Sequence, residues 1–501
     1  MLLLLDVLKE YGVQLKENLR EKKPEHSHRV YLKNLFDRIK PDDGSIIQCK
    51  PKESKETLRP PDYLIEKTGI IVGYIKVEDP GQDLYKILES PQIKRYKKLS
   101  KNILLTNYIE FILIKDGVVT LRESLMDLKD LEKEKIEIDT IKLNKVVGIL
   151  DNFFLAVAEK IKNIEVLTSL LASRTRILRE LIKENLELNL DEENIDNIEL
   201  KFKKPNILTT TYETLIKAIY RKGFDISEFS DSIAQTITYG LFIAYLNNKS
   251  GVSIDFLNIK DFIPTNFYLM QNILKIIENI SKKDEFSNIN WILKELISTV
   301  NNIDSKVVFK QLSFDKLGLT LKDPYLYFYE NFLAKYDRSL RSSKGVYYTP
   351  KSMVGFIVRS LHEILKKGFK LNNGFANKNE VKVLDFATGT GTFLLEVIKT
   401  ILDNIPKESV KQEEYIDNHI FKNLYGFEYL IAPYVVSHLK LSQYLKDSCN
   451  VNFSSKDKRL KMFLTNTIDE KGITEKNGLN SLFYEDLFLS IDKENELVNE
   501  V

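Results

Sequence analysis

The chain has 501 residues, of which 43% are apolar and 29% charged, with a formal net charge of +2. That balance is globular rather than disordered or membrane-embedded, and the length exceeds one ordinary hydrophobic core, so two or three domains are expected. The only cysteines, Cys49 and Cys449, lie far apart, and the five histidines show no ligand spacing. A disulfide framework, a zinc finger and an HExxH site are thereby excluded, and a reducing cytoplasm fits.

The opening run Met1 to Leu5 is too short for a membrane span and lacks the basic flank of a signal peptide. It is expected as the first turn of a buried helix. A helical pattern covers Arg29 to Ile39. Residues Pro61 to Glu78 read as a β-hairpin around Glu66-Lys67-Thr68-Gly69. A second strand pair, Ile103 to Thr106 and Glu110 to Ile114, leads into the turn signal Asp116-Gly117. From about 126 to 335, segments with 3.6-residue apolar spacing dominate, among them Leu167 to Leu186 and Ile273 to Ile280, without a fixed repeat. After Ser342, strands at Val381 to Phe386, Leu424 to Glu428 and Lys461 to Thr465 alternate with helices at Phe393 to Leu402 and Pro433 to Lys446. This order predicts a parallel, doubly wound sheet, although an open sheet normally has more than about three strands. The expected division is an α/β domain over 1–125, a helical connector over 126–335 and a second α/β region over 336–501.

Asp385 closes an apolar strand, and Gly389 and Gly391 occupy the turn before an apolar helix. Glycines let the backbone approach a ligand closely, and a helix start presents free N–H groups. In open α/β sheets ligands bind beyond the carboxyl ends of strands, which is where this turn falls. The string lacks the third glycine of GxGxxG, and no GxxxxGK[ST] occurs, so neither a dinucleotide loop nor a phosphate loop is indicated. A tight βα turn without a ligand is the bland alternative. Upstream, Tyr347-Tyr348-Thr349-Pro350 precedes a helix beginning near Lys351, and by itself this is core packing followed by a capping turn.

Taken together, GVYYTPKSMVGFIVRSL (345–361), VLDFATGTGTFLLEVI (383–398), LYGFEYLIAPYVVSHLKL (424–441) and RLKMFLTNTIDE (459–470) resemble, in order, a known family. It is the N6-adenine DNA methyltransferases of restriction–modification systems, especially the type IIG and type I single-polypeptide forms. Supporting stretches are DPYLYFYENFLAKYDRSLR (323–341) and DSIAQTITYGLFIAYL (231–246). The resemblance implies an S-adenosylmethionine site built from Tyr347, Tyr348, Thr349, Pro350, Asp385, Ala387, Thr388, Gly389, Gly391, Thr392 and Phe393. Glu428 would accept hydrogen bonds from the ribose hydroxyls. Phe386 stands where the family has proline. These enzymes hold the adenine amine with a [DNS]PP[YFW] tetrapeptide whose aromatic ring stacks on the flipped base. The only Pro-Pro here is Arg59-Pro60-Pro61-Asp62, with the wrong flanks. The family's NPPY, its remaining strands and its target-recognition domain are expected beyond Val501. Either a separate polypeptide supplies them or the chain is the truncated product of a split gene, and methylation of DNA unaided is not expected.

The amino-terminal segment GYIKVEDPGQDL (73–84) resembles the PD-(D/E)xK nucleases, whose pattern here would be GYIEAKDIGKDL. In those enzymes an aspartate and a second carboxylate hold Mg2+, and a lysine positions the attacking water. The resemblance assigns Asp62, Lys76, Glu78 and Gln92 to a nuclease-like site, with Glu25, Asp62 and Glu78 as metal ligands. Lys76 stands where the carboxylate belongs and Glu78 where the lysine belongs. Positions i and i+2 share a strand face, so both still point at one site, but a cation at a ligand position weakens Mg2+ binding. Glu25-His26 matches the family's EHxxR helix, and Gln92 with Tyr96 matches its QxxxY element. The bland alternatives are a turn residue at Asp62 and a solvated strand face at Lys76 and Glu78.

The fold class implied is a restriction-endonuclease-like α/β domain, a helical connector and an incomplete Rossmann-like methyltransferase sheet. The expected function is a component or amino-terminal fragment of a restriction–modification enzyme, an adenine-specific DNA methyltransferase with an associated Mg2+-dependent endonuclease domain. Its partners would be double-stranded DNA and a polypeptide supplying the NPPY element, in the cytoplasm and without a membrane. The alternative is a non-catalytic DNA- or subunit-binding remnant. A small-molecule methyltransferase explains neither the amino-terminal domain nor the connector.

Overall fold

The computed structural model describes residues 2–21, 25–49, 58–126, 139–191, 202–220, 224–248, 250–264, 267–312, 324–337, 349–406, 409–451 and 459–466. In chain order the elements begin with α1 (Leu2–Arg20), α2 (Glu25–Ile39), β1 (Gly44–Gln48), β2 (Tyr63–Lys67), β3 (Ile70–Val77), α3 (Leu84–Leu88) and α4 (Pro91–Leu99). Next come β4 (Asn102–Thr106), β5 (Glu110–Lys115), β6 (Val118–Ser124), α5 (Thr140–Phe154), α6 (Ile164–Leu188), α7 (Ile207–Leu215) and α8 (Ile226–Asn247). Helices α9 (Tyr268–Lys282), α10 (Ser287–Asn301), α11 (Ser305–Leu312), α12 (Pro324–Tyr336) and α13 (Lys351–Lys367) follow. The chain continues through β7 (Val383–Asp385), α14 (Thr392–Asp403), α15 (Ser409–Tyr415), β8 (Leu424–Glu428), α16 (Ile431–Cys449) and β9 (Lys461–Leu464). They form two compact units, 1–160 with 284–302, and 161–283 with 303–501.

The first unit is built on a six-stranded sheet in the order β1-β2-β3-β4-β5-β6. Its hairpins are closed by Thr68-Gly69 and Asp116-Gly117, all four at positive φ. Two-residue turns of that hand match the right-handed twist of the paired strands. The expected hairpin turn therefore narrows to Thr68-Gly69, and Asp116-Gly117 joins β5 to β6, a strand that alternation did not single out. Only β3 and β4 run parallel. Their connection needs a crossover, and α3 and α4 supply it. Helices α1, α2 and α5 cover one sheet face through Leu8, Leu32, Phe36, Val146, Leu150 and Phe153, against Ile65, Ile75 and Leu104.

On the other face Tyr74 meets Tyr96 of α4 edge-on. Helix α10 also packs on β3, and Ser298 Oγ accepts a 2.7 Å bond from Ile71 N–H. Thus α10, read from the sequence as part of the helical middle, completes the sandwich of the first unit. At the start of β4, Asn102 Nδ2 donates to both Val72 O at 3.1 Å and Phe153 O at 3.0 Å. Gly73 makes room for this amide, because a Cβ there would lie 2.7 Å from Asn102 Nδ2 and 2.9 Å from the Phe153 ring.

In the second unit α6 packs on α8 and α12. Asp225 and Glu228 form a capping box that fixes the start of α8, satisfying two otherwise orphaned N–H groups. Helix α8 is then buried on all sides from Phe229 to Ala244, as expected for a helix apolar round its circumference. Helix α16 lies against α8 and beside the parallel sheet β7-β8-β9. The mixed α/β class agrees with the expectation, and the first strand is shorter than expected, three residues rather than six. Among the described residues no helix is long and apolar enough to cross a membrane.

Replacing Asn102 by alanine deprives two buried carbonyls of their shared donor. The expected loss is about 1–3 kcal/mol of stability in the first unit, read as faster amide hydrogen exchange across residues 102–106 than in the parent chain.

Candidate functional site

Strand β7 ends at Asp385, and the chain then turns through Phe386 to Gly391 before α14 begins. Gly389 and Gly391 have φ of +55° and +73°, a backbone region open to glycine without a Cβ penalty. Thr388 stitches this loop to both neighbouring strands. Its N–H donates to Phe427 O at 3.0 Å and its hydroxyl to Asp385 O at 2.9 Å. Gly426 lies directly beneath, and a Cβ there would sit 2.7 Å from Thr388 Oγ1 and 2.6 Å from Met462 Sδ. The loop therefore rests on the carboxyl end of β8, where Glu428 is buried.

Both oxygens of Glu428 are engaged by backbone N–H groups, Oε2 by Gly389 at 2.7 Å and Oε1 by Leu430 at 2.8 Å. Burial raises its pKa above the ordinary value, against the opposing pull of those N–H donors. Asp385 behaves similarly. Burial raises its pKa while a 3.3 Å bond from Ala387 N–H to Oδ1 partly offsets the effect. Its Oδ2 is buried with no hydrogen-bond partner among the described residues. A buried carboxylate oxygen left open is costly unless a donor from elsewhere completes it.

Thr392 opens α14, and Phe393 is half-buried behind it. Lys440, fully buried on α16, donates to Thr392 Oγ1 at 3.1 Å. Sequence reasoning missed this lysine, although a cation inside the apolar run of α16 was a legible signal. Pro350 caps α13, its carbonyl accepting from Met353 and Val354, and Thr349 precedes it. Tyr347 and Tyr348 lie outside the described residues. A second residue missed is Tyr220, which stacks on Phe224 at 3.8 Å and donates to the Tyr429 carbonyl at 3.0 Å.

In the first unit Asp62, Lys76 and Glu78 come together. Lys76 Nζ lies 3.2 Å from Asp62 Oδ2 and 3.2 Å from Glu78 Oε1, and also donates to Val77 O at 2.9 Å. Asp62 Oδ2 accepts the Val77 N–H at 2.8 Å, while Oδ1 faces Arg29 at 3.6 Å. Burial works against the Lys76 charge, yet the carboxylates of Asp62 and Glu78 outweigh it and raise its pKa. Burial raises that of Glu78, with Lys76 pulling the other way. Gln92 does not join them. Its amide donates to Tyr96 Oη at 2.6 Å, and Tyr96 in turn donates to Arg59 O at 3.0 Å. Glu25 opens α2, but its side chain lies outside the described ones. Among the described residues no group of three or more His, Cys, Asp or Glu side chains converges as a metal site. With an ammonium already between them, Asp62 and Glu78 as placed do not fit Mg2+.

Residues 322–468 match the family model described as N-6 DNA Methylase. Solved structures similar to the chain include the DrdV–DNA complex, at 18% identity and a TM-score of 0.42 over 98% of this chain and 42% of that one. The ATP-dependent type ISP restriction-modification enzyme LlaBIII bound to DNA is similar at 18% identity and a TM-score of 0.43, over 74% of this chain and 21% of that one. A nuclease-deletion mutant of the type ISP enzyme LlaGI with a DNA substrate mimic gives 18% and 0.39, over 72% and 25%. The chain thus spans 42% of the length of the first of these and less of the other two. No curated protein matches it.

Because burial raises both carboxyls, each binds its proton more tightly in the folded chain than in the unfolded one. Their contribution to stability is full below the ordinary values of 3.8 for Asp385 and 4.5 for Glu428 and is withdrawn as pH rises through the raised ones. Asp385→Asn removes the aspartate's share. The ligand-free variant is expected to melt above the parent at neutral pH, with the gap closing as pH falls toward 4, measured as thermal midpoints of both proteins across that range.

Proposed function

We propose that this chain, whose residues 322–468 match the N-6 DNA methylases, is the cofactor-binding component of a restriction–modification methyltransferase specific for adenine in double-stranded DNA. One observation carries the reading: the buried, unpartnered Oδ2 of Asp385 beside a glycine loop that leads into the uncapped start of α14. S-adenosylmethionine, when bound, supplies the transferable methyl group.

Asp385 orients the ligand by accepting a hydrogen bond at its open oxygen. Gly389 and Gly391 keep the loop free of side chains where the ligand approaches, and the first turn of α14 from Thr392 offers N–H groups to an anionic end of it. Glu428 turns its carboxylate to the ribose hydroxyls. Its oxygens already accept backbone N–H groups, Gly389 at Oε2 and Leu430 at Oε1, and a carboxylate has capacity for further donors beyond these. Ala387, Thr388 and Phe393 hold the loop and its wall, Thr349 and Pro350 lead into α13, and Tyr347 and Tyr348 are assigned to the ligand by the sequence resemblance alone. The 501 residues contain no [DNS]PP[YFW] tetrapeptide, and in this reading a separate polypeptide supplies the adenine-holding element and the groups that read DNA. Residues 1–125 act as a nuclease-like domain, 126–335 as a helical connector and 336–501 as the cofactor-binding part, in a cytoplasmic assembly. These functional regions cut across the two compact units, since 126–160 and 284–302 belong with the first.

The ion cluster at Lys76 favours a second reading for the amino-terminal region alone, a binding rather than a cleaving role. A cation occupies the place that metal-assisted hydrolysis reserves for the metal.

Calorimetry of the full chain with S-adenosylmethionine tests the proposal. Saturable binding is expected, weakened at least about tenfold, or about 1.4 kcal/mol, by Asp385→Ala and likewise by Glu428→Ala. A folded parent protein that releases no heat refutes the reading.

A further inference from the structure

We infer that the Lys76 ammonium is the resident cation of the Asp62–Glu78 carboxylate pair, so that this site is a self-contained ion cluster that takes no divalent metal. The inference is independent of the cofactor reading, since it concerns the first unit alone.

The geometry is closed from the lysine's side. An ammonium has three protons, and Lys76 Nζ has three acceptors within reach: Asp62 Oδ2 and Glu78 Oε1, each at 3.2 Å, and Val77 O at 2.9 Å. It is closed from the aspartate's side as well. Oδ2 takes the Val77 N–H as well as the ammonium, and Oδ1 faces the Arg29 guanidinium. Among the described residues Lys76 and Arg29 thus face the two carboxylates, and Lys76 and Asp62 are both largely shielded from water, with 15% and 11% of their side chains exposed. A divalent ion entering between the carboxylates would have to displace Lys76, strand its charge in that shielded place and face Arg29 as well. Nothing in the cluster repays that displacement.

The strand explains how the lysine arrives there. Lys76 and Glu78 stand two residues apart and therefore project from the same face, while Asp62 enters from just before β2, the antiparallel neighbour of β3. The cluster ties the start of one strand to the end of the other, the role a bound metal would otherwise fill. Exchanging the two side chains, K76E with E78K, conserves net charge but puts a second carboxylate where the ammonium lies and sends the ammonium outward along the strand. That exchange opens a place for a hard divalent cation, which carboxylate oxygens suit.

The test is titration of the full chain with Mn2+, with binding read by calorimetry and folding by circular dichroism. The parent is expected to show no Mn2+ binding that D62N removes, whereas K76E/E78K gains one site that D62N abolishes. K76Q is expected to lower the melting midpoint in metal-free buffer and to recover part of the loss in Mn2+, and it decides the question alone if the double variant does not fold. Parent binding of Mn2+ that D62N removes, or a K76Q protein melting with the parent, overturns the inference.

Discussion

Thr388 lies across the α-carbon of Gly426 with no room for a methyl group between them, and Met462 closes the same space from the next strand. Three consecutive strands of the carboxy-terminal sheet meet at this contact. Because the loop after β7 sits so low on β8, Gly389 N–H comes within 2.7 Å of Glu428. Both acids of the candidate site are then aligned by backbone alone. A larger residue at 426 would lift the loop and separate the two carboxyls, whatever the state of the side chains themselves.

The parts of this arrangement that were legible in the sequence are those written in local chemistry. Gly389 and Gly391 announced a tight turn with close backbone approach, and the LYGFE run announced a strand ending in an acid. The Thr-Pro before α13 announced a helix start. What escaped was non-local. Nothing near Ser287 to Asn301 says that this helix belongs with a sheet more than two hundred residues earlier, because its apolar periodicity suits any buried partner. Strand β1 escaped because its five residues, GSIIQ, are too few to show alternation, and β6 because its side chains are mostly exposed. The Lys76–Glu78 exchange was visible as text, but whether the lysine turned outward to water or inward to Asp62 depended on the register of β2 against β3.

The two candidate sites manage buried charge in opposite ways. In the first unit each carboxylate has a cation beside it, and removing one partner would leave a charge stranded, which is where buried ion pairs become expensive. In the second, Asp385 and Glu428 have only backbone N–H groups, their pKa values rise, and one oxygen is left open. The first arrangement is complete as it stands and the second is not. Incompleteness of that kind is what separates a place for a ligand from a place that merely holds strands together.

Tyr220 gives this a kinetic side. Its hydroxyl holds the carbonyl of Tyr429, the residue after Glu428, and its ring stacks on Phe224 and meets the Tyr429 ring edge-on. The backbone just after Glu428 is therefore pinned by a hydrogen bond from the helical region ahead of α8. The backbone of this acid thus takes its anchoring from a well-buried helical neighbourhood, where local opening is rarer than in an exposed glycine turn.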